Sequence, residues 1–278
     1  MKKIKFALLA SALSASLLLA ACGGNAASSV PAPASTASAA SNLVLKVGAS
    51  PAPHAEILEQ VKPVLAQQGI TLEIVEFNDY IIPNTALEDG DLDANYFQHQ
   101  PYLDDFNAKN DTHLVTAAAI HIEPLGIYPG KTQTLEELAE GALIGIPNDT
   151  TNESRALRLL EAEGLITLKE GVGNEAVPAD IVQNPHKLKF LELEASTLPV
   201  SLPDVDFAVI NGNYAVGAGI GNTALATEGG ESPYVNVIAI REGNENRLEI
   251  KALVAALQTE EVRNFIVEKY DGVVVPVF

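Results

Sequence analysis

The sequence predicts an α/β protein with two lobes, and two observations support this. From residue 43 onwards, segments with the alternating apolar pattern of strands alternate with segments of helical apolar spacing, which is the rhythm of βα units around a mostly parallel sheet. Two long extended segments, 114–128 and 232–241, enclose a complete α/β unit. We therefore expect the chain to cross twice between two lobes, with a ligand cleft beyond the carboxyl ends of the strands.

The chain begins with the composition of a secretory signal peptide. Lys2, Lys3 and Lys5 precede an apolar run at 6–21, which is shorter than the roughly 20 residues that span a bilayer. Small residues then lead into Cys22, the only cysteine in the chain. The tetrad Leu19-Ala20-Ala21-Cys22 resembles the lipobox of bacterial lipoproteins. This resemblance implies cleavage before Cys22 and acylation of its sulfur. Several acyl chains on one cysteine would hold the protein stably at a membrane.

The following stretch is rich in Ala, Ser, Pro and Gly and carries no charge. Such a composition cannot bury enough apolar surface to offset chain entropy, and it predicts a disordered tether. The expected divisions of the chain are a signal peptide at 1–21, the lipidated cysteine and tether at 22–42, a first lobe at 43–121 that is completed by 235–278, and a second lobe at 122–234.

The first lobe is expected to open with short βα units. A strand leads through Gly48 and Pro51 into a helix with apolar residues at helical spacing, and Gly69 supplies its C-cap. The elements expected before the first crossing are a strand at 43–47, a helix ending at 69, a strand at 71–77, a short helix ending near 90, a strand reaching 97 and a helix at about 101–109.

The second lobe repeats the same rhythm after an extended segment at 114–128 that Pro124 interrupts. The second extended segment, 232–241, then leads back to the first lobe, which two further helices complete. The expected elements are a short helix at 134–138, a strand at 143–146, a helix near 152–163, strands at 188–193, 207–210 and 232–241, and helices near 245–257 and 259–270.

Aromatic side chains are concentrated in one stretch, "DANYFQHQPYLDDF" at 93–106, although aromatic residues make up only 5% of the chain. Phe97, His99 and Tyr102 lie where a predicted strand ends and a helix begins, so they should face the cleft. Ring faces offer apolar area to an aliphatic or thioether chain, with sulfur contacts that contribute about 0.3–1.5 kcal/mol each. Phe106 is expected to be a core residue instead.

Polar candidates follow the strands of the second lobe. Arg155 lies in the first turns of a helix that follows a strand end, where a guanidinium can bind a carboxylate bidentately; a solvated surface position is the alternative. Asn211 follows the strand at 207–210, and Asn236 lies on the second extended segment. An asparagine amide at such a position can both donate and accept a hydrogen bond.

Several functional classes are disfavoured. A net charge of −19 argues against nucleic acid as a partner, because phosphate binding needs clustered Lys and Arg. The sequence has neither a G-x-S-x-G nor an H-E-x-x-H motif, and Gly217, Gly219 and Gly221 lack the dinucleotide-binding spacing. The five histidines are scattered without metal-ligand spacing. We therefore expect no enzyme activity, no cofactor and no metal.

Four motifs together resemble the NlpA/MetQ lipoproteins, the methionine-binding components of bacterial ABC importers. They are, in this order along the chain, "DYIIPNTALEDGDLDANYFQHQPYL", "IPNDTTNESRAL", "VINGNYA" and "SPYVNVI". The resemblance covers essentially the whole segment from 43 to 278. It implies a two-lobed periplasmic binding protein, type II-like, with two crossover segments and an interlobe ligand cleft.

The resemblance also implies roles for seven residues. Four of them would surround the substrate side chain: Tyr80, Phe97, His99 and Tyr102. Arg155 would bind the substrate carboxylate, and Asn211 and Asn236 would hold its amino and carboxylate groups. Gly212 and Asn213 stand where relatives often have threonines, which makes Asn213 an additional contact and leaves the enantiomer and the binding of short methionine-containing peptides open.

The implied function is that of a substrate-binding lipoprotein that delivers L- or D-methionine to an importer. Its partners would be the permease, contacted directly, the ATPase subunits, and the lipid bilayer through Cys22. It would lie at the periplasmic or cell-surface face of a bacterial envelope. Two alternatives stay open: a solute-binding protein for another small amino acid, a short peptide or a metal, and a surface adhesin or scaffold lipoprotein.

Overall fold

The structure is a computed structural model that describes residues 43–229 and 232–278. The signal peptide predicted at 1–21, the lipid attachment at Cys22 and the tether at 22–42 lie outside the described residues. Within the described ranges, every helix is too short or too polar to cross a membrane.

The described residues contain strands and helices in alternation along most of the chain. The strands are β1 (Leu43–Ala49), β2 (Ile70–Glu76), β3 (Ala94–His99), β4 (Leu114–Ile122), β5 (Gly126–Pro129), β6 (Leu143–Pro147), β7 (Thr167–Leu168), β8 (Ile181–Gln183), β9 (Lys189–Leu193), β10 (Phe207–Ile210), β11 (Ala226–Thr227), β12 (Val235–Arg241) and β13 (Val275–Pro276). The α-helices are α1 (Glu56–Gln67), α2 (Ile82–Asp89), α3 (Gln100–Asn110), α4 (Thr150–Ala162), α5 (Leu198–Ser201), α6 (Gly212–Gly217), α7 (Leu248–Leu257) and α8 (Glu260–Tyr270).

Most of these strands form two sheets. The first sheet has the order β13-β4-β12-β3-β1-β2 and the second has the order β11-β5-β10-β6-β9. Both sheets are mixed rather than mostly parallel: β1 is parallel to β2 and β3, whereas β12 is antiparallel to β3 and β4. The reason is that βα connections return a strand in the same direction, while β12 enters the first sheet directly from the second sheet and runs the opposite way.

Each sheet has its own hydrophobic core. In the first, β1 and β3 pack beneath α1, α7 and α8, with Leu45, Ile57 and Leu253 fully buried. In the second, Ile144 and Leu157 belong to a separate buried cluster between β6 and α4. Strand β3 is buried at all six positions, as expected for a strand covered on both faces, and its carboxyl end is therefore held rigidly.

The chain passes from the first sheet to the second through three residues, 123–125, which we call the first crossing. The extended segment predicted at 114–128 is thus two strands, β4 and β5, that belong to different sheets. Pro124 explains the break, because proline has no backbone N–H to continue the strand pairing. The chain returns between β11 and β12. The lobe boundaries at 43–121, 122–234 and 235–278 stay a prediction.

Some element boundaries differ from those predicted. The helix expected at 134–138 is a single 3₁₀ turn, Leu135–Glu137, and α7 begins at Leu248 rather than at 245 because a turn occupies the residues before it. The short elements β7, β8, β11, β13 and α5 were not predicted as strands or helices. Elements of two to six residues are too short to show a hydrophobic period.

Candidate functional site

A cavity lies where the carboxyl ends of β3 and β10 meet the amino-terminal half of α4. The side chains around the cavity come from elements of both sheets. They are Tyr80, Phe97, Gln98, His99, Tyr102, Glu123, Asn152, Arg155, Asn211, Asn213 and Asn236.

All seven residues that the sequence singles out as substrate-binding line this one cavity, as does Asn213. Three further lining residues were not predicted: Gln98, Glu123 and Asn152. Asn152 follows a strand end as the other polar candidates do, a signal that could have identified it. Glu123 carried no comparable signal, because a single glutamate beside a proline resembles a surface turn.

One side of the cavity is aromatic. The ring centroids of Tyr80 and Phe97 lie 5.9 Å apart, those of Tyr80 and Tyr102 5.7 Å, and those of Phe97 and Tyr102 6.2 Å. The Tyr102 hydroxyl donates to the backbone oxygen of Tyr80 at 3.0 Å, which fixes the ring. Phe106 stacks on Tyr102 with centroids 6.4 Å apart but does not line the cavity, so it is a core residue as predicted.

A second side is a chain of hydrogen bonds that fixes the orientation of each amide. Asp149 caps α4 and accepts from the Asn152 side-chain nitrogen at 2.9 Å. The Asn152 Oδ1 therefore faces the cavity side, where it accepts from Asn211 Nδ2 at 2.8 Å and lies 3.0 Å from His99 Nε2. The Asn211 Oδ1 is left buried, with no hydrogen-bond partner among the described residues.

His99 is a neutral ring in this chain. Its Nδ1 accepts from the backbone N–H of Tyr102 at 3.1 Å and so caps α3, which leaves the proton on Nε2 to donate to Asn152. Burial lowers the pKa of His99 to about 3, and the nearby positive charge of Arg155 acts in the same direction. The ring can therefore bind an apolar chain without carrying a charge at neutral pH.

Arg155 is buried, with 3% of its side chain exposed, so the alternative of a solvated surface arginine is wrong. Its Nε donates to Glu228 Oε1 at 2.8 Å and its Nη2 to Glu228 Oε2 at 2.5 Å. The same Nη2 donates to the backbone oxygen of Glu123 at 2.8 Å, and the guanidinium lies 4.2 Å from the centre of the Tyr234 ring.

The floor of the cavity is a buried cluster around Glu123. His121 Nε2 lies 2.7 Å from Glu123 Oε1, and His54 Nε2 lies 3.4 Å from the same oxygen. His54 Nε2 is also 3.0 Å from the Asn236 Oδ1, and the Tyr96 hydroxyl hydrogen-bonds to His121 Nδ1. Burial is the main influence on all three ionisable groups: it lowers the pKa of His54 to about 4 and of His121 to about 3, and it raises the pKa of Glu123.

The same cluster has the composition of a metal site. One ligand atom from each of His54, His121 and Glu123 lies within 4.8 Å of the other two. However, the 2.7 Å and 3.0 Å separations in this cluster are ordinary hydrogen-bond distances, and neutral imidazoles satisfy the bonds without an ion. We therefore interpret the cluster as a hydrogen-bonded network.

Direct contacts join the elements of the two sheets across the cavity. The Tyr80 hydroxyl donates to the Asn213 Oδ1 at 2.6 Å, and the Tyr214 hydroxyl donates to the backbone oxygen of Asn78 at 3.0 Å. Beside these contacts, Gly212 allows the start of α6 to lie close to Glu123, because a Cβ at position 212 would lie only 2.6 Å from the Cβ of Glu123. The first crossing and α6 are thereby packed tightly against each other.

The α/β fold, with a cavity lined by rings and polar groups at the strand ends, is that of the periplasmic substrate-binding proteins, and solved structures of that class are its structural neighbours. Residues 45–278 match the NlpA lipoprotein family. The chain belongs to this family, which confirms the resemblance found in the sequence. The family is one of substrate-binding proteins rather than of enzymes.

Individual relatives support the same assignment. The chain is 40% identical over 233 residues to the D-methionine-binding lipoprotein MetQ of Escherichia coli strain K12, covering 82% of this chain and 86% of the relative. It is 40% identical over 269 residues to outer membrane lipoprotein 1 of Mannheimia haemolytica, covering 95% and 96%. A nutrient-binding protein from Burkholderia cenocepacia, solved bound to methionine, superposes with a TM-score of 0.81 at 44% identity and covers 84% of this chain and all of that one.

Proposed function

We propose that this protein is the substrate-binding lipoprotein of an ABC importer and that its cavity binds methionine. The observation that carries the proposal is the convergence of three rings, Tyr80, Phe97 and Tyr102, with Arg155 on one cavity. Relatives that are about 40% identical bear the name of methionine-binding lipoproteins. These points support a zwitterionic ligand with an apolar, sulfur-containing tail.

The energetics suit such a ligand. Burial of a methionine-sized side chain contributes about 1.5–3 kcal/mol, and each hydrogen bond to a charged end contributes a further 1.5–3 kcal/mol or so. The rings belong to elements of the first sheet, whereas Arg155 and Asn211 belong to elements of the second. The first lobe would comprise 43–121 and 235–278, and the second would comprise 122–234. A ligand would contact both sets of residues only when the two lobes are closed. It therefore favours the closed state, for which it has the higher affinity.

Delivery of methionine requires attachment of the protein to the membrane and a permease that accepts the ligand. Acyl chains on Cys22 would hold the protein at the periplasmic or cell-surface face of a bacterial envelope, and the segment at 22–42 would act as a tether. The closed, loaded protein would contact the permease directly, and the ATPase subunits would drive reopening and release. Relatives that are named as membrane lipoproteins or as an ABC transporter periplasmic protein support this arrangement.

Calorimetric titration of ligand-free protein tests the proposal. The protein is unfolded, dialysed to remove bound solutes, refolded and titrated separately with L-methionine, D-methionine, L-glutamate and L-histidine. We expect one methionine per chain, in at least one enantiomeric form, and far weaker binding of glutamate and histidine. Equal binding of all four would point to a general amino-acid carrier, and binding of none would favour a scaffold or adhesin.

A further inference from the structure

A groove lies on the other side of the first crossing from the cavity described above. Glu123 lines the cavity, whereas its chain neighbour Pro124 lines the groove, so the crossing at 123–125 runs between the two spaces. Thr227 also lines the groove, and it ends β11, just before the chain returns to the first sheet. The groove therefore lies beside both passages of the chain between the sheets, and we call it the hinge groove.

The two walls of the hinge groove belong to different hydrophobic cores. On one wall, Gly221 lies between Ile220 and Ala224, which pack against a buried cluster of the second sheet. On the other wall, Val273 directly precedes Val274, which is 1% exposed and belongs to the core of the first sheet. Each wall is thus fixed to one core and moves with it.

Gly221 and Val273 are in close contact across the groove. A Cβ at position 221 would lie 3.1 Å from Cγ1 of Val273 and 3.6 Å from its Cγ2. Gly221 is not among the glycines with positive φ, so its backbone conformation is compatible with a side chain. The proximity of Val273 is therefore what a side chain at this position would disturb. The Val273 methyl groups belong to a partly exposed side chain, which can move by the few tenths of an ångström that a Cβ needs.

The position of the groove determines how it changes when the cavity opens. If two bodies rotate about the segments that connect them, groups on one side of the axis approach each other as groups on the other side separate. Opening of the cavity therefore brings the walls of the hinge groove together. The contact between Gly221 and Val273 tightens first, because these residues are already close.

We propose that Gly221 and Val273 form a stop that limits how far the two lobes open, and that this contact sets methionine affinity without touching the ligand. Both residues are positioning residues that act through the cavity. The inference rests on the proposed function, because closure around a ligand is the motion that the stop limits. The apparent affinity of a ligand is reduced when only a fraction of the free protein is in the binding-competent state. Any group that disfavours the open state therefore strengthens binding.

The test adds one methyl group to the contact. Gly221→Ala is compared with wild type and with Gly217→Ala, the matched control, because Gly217 is exposed and a Cβ there would have no described atom within 4 Å. Calorimetry of the ligand-free full chain with L- and D-methionine measures affinity, and stopped-flow displacement measures release. Small-angle X-ray scattering without ligand measures the radius of gyration.

We expect Gly221→Ala to bind methionine about fivefold more tightly than wild type, because the open state is disfavoured. Release should be slower, and the ligand-free variant should be more compact than wild type. Gly217→Ala should match wild type in all three measurements. A loss of stability alone would leave the affinity unchanged or weaken it.

A second comparison assigns the effect to Val273. In Val273→Ala protein the two methyl groups that the new Cβ meets are absent, so adding Gly221→Ala should change the affinity by less than about twofold. Asn222→Phe provides an independent variant if Gly221→Ala does not fold. Asn222 is exposed and lines the groove, and a ring at this position should strengthen methionine binding in the same direction.

Contrary results separate this inference from the proposed function. A wild type that binds methionine, with Gly221→Ala equal to Gly217→Ala or weaker than it, would overturn the stop and leave the proposed function standing. An increase that persists undiminished in the Val273→Ala background would overturn the assigned contact. If the wild type binds no methionine, the proposed function is contradicted and scattering still decides the inference: a more compact Gly221→Ala supports it, and a radius equal to that of Gly217→Ala overturns it.

Discussion

The buried Arg155 and the partly buried Glu228 form a bidentate ion pair, with Nε and Nη2 of the guanidinium 2.8 and 2.5 Å from the two carboxylate oxygens. Glu228 is fixed in turn by the backbone N–H of Leu125, which lies on the first crossing. The guanidinium is thus held between the two segments through which the chain passes from one sheet to the other. An arginine fixed in this way loses little side-chain entropy when it binds a ligand.

Replacement of Arg155 by alanine is expected to weaken methionine binding by about a hundredfold or more, because the ligand carboxylate and Glu228 would both lose a buried partner, at a cost of roughly 3–5 kcal/mol. Arg158→Ala is the matched control. Arg158 lies one turn further along α4, and its guanidinium donates to the backbone oxygens of Val172 and Gly173, away from the cavity. Calorimetric affinities of both variants check the prediction, and an Arg155→Ala protein within threefold of wild type would refute it.

Truncation of the aromatic wall should also weaken methionine. Phe97→Ala removes a ring that lines the cavity and packs against Tyr80 and Tyr102. The expected loss is about 1.5–3 kcal/mol of apolar burial, or roughly 10- to 150-fold in affinity. Phe190→Ala, on β9 of the second sheet and outside the cavity, should bind methionine as wild type does. Equal losses in the two variants would show that the rings act through stability alone.

Ligand protection against heat should be selective for methionine. A ligand that binds only the folded state adds stability that grows with its concentration, about 2.7 kcal/mol at a hundredfold excess over its dissociation constant. Methionine should therefore raise the unfolding temperature much more than glutamate or histidine at equal concentration, as followed by differential scanning fluorimetry. Comparable protection by all three amino acids would contradict the specificity assigned to the rings.

The pH dependence of stability should reveal the neutral state of His99. The pKa of this ring is about 6.5 in the unfolded chain and about 3 in the folded one, so as the pH falls below 6.5 the unfolded state takes up a proton that the folded state does not. The free energy of unfolding then falls with decreasing pH, by about 1.4 kcal/mol per pH unit for this group, until the folded ring also protonates near pH 3.

The variant His99→Asn tests this directly, because asparagine keeps an acceptor at the N-cap of α3 but does not titrate. Urea unfolding between pH 6 and pH 4 should show a slope that is shallower than that of wild type by about one proton. His113→Asn, at an exposed position, is the matched control for the substitution itself. An unchanged slope in His99→Asn would mean that the buried ring is charged in the folded protein.

The sequence predicted the cavity residues that lie at the end of a strand or in the first turns of a helix. Phe97, Arg155 and Asn211 could be assigned to the cleft because each lies at a strand end or at the start of the following helix. Their common cavity follows from the geometry of α/β sheets. The mixed direction of the strands could not be predicted, because it depends on how β12 enters a sheet whose neighbouring strands lie far away in the sequence.

Glu123 and Glu228 escaped sequence reasoning for a different reason. Each is a single acidic residue in an irregular segment, next to Pro124 in one case and near Gly229 in the other, and such segments are usually solvated. Their burial arises only when β5 and β11 pair in the second sheet and bring both segments towards Arg155. Side chains that depend on long-range packing in this way leave no local pattern in the sequence.

The central claim, that the cavity is a methionine site, is tested most directly by native mass spectrometry of the protein as purified from its host. The account predicts a complex whose mass exceeds that of the polypeptide by one methionine, which disappears after unfolding and dialysis and returns when methionine is added to the refolded chain. A refolded protein that stays ligand-free in excess L- and D-methionine, or a different co-purified solute that methionine does not displace, would contradict it.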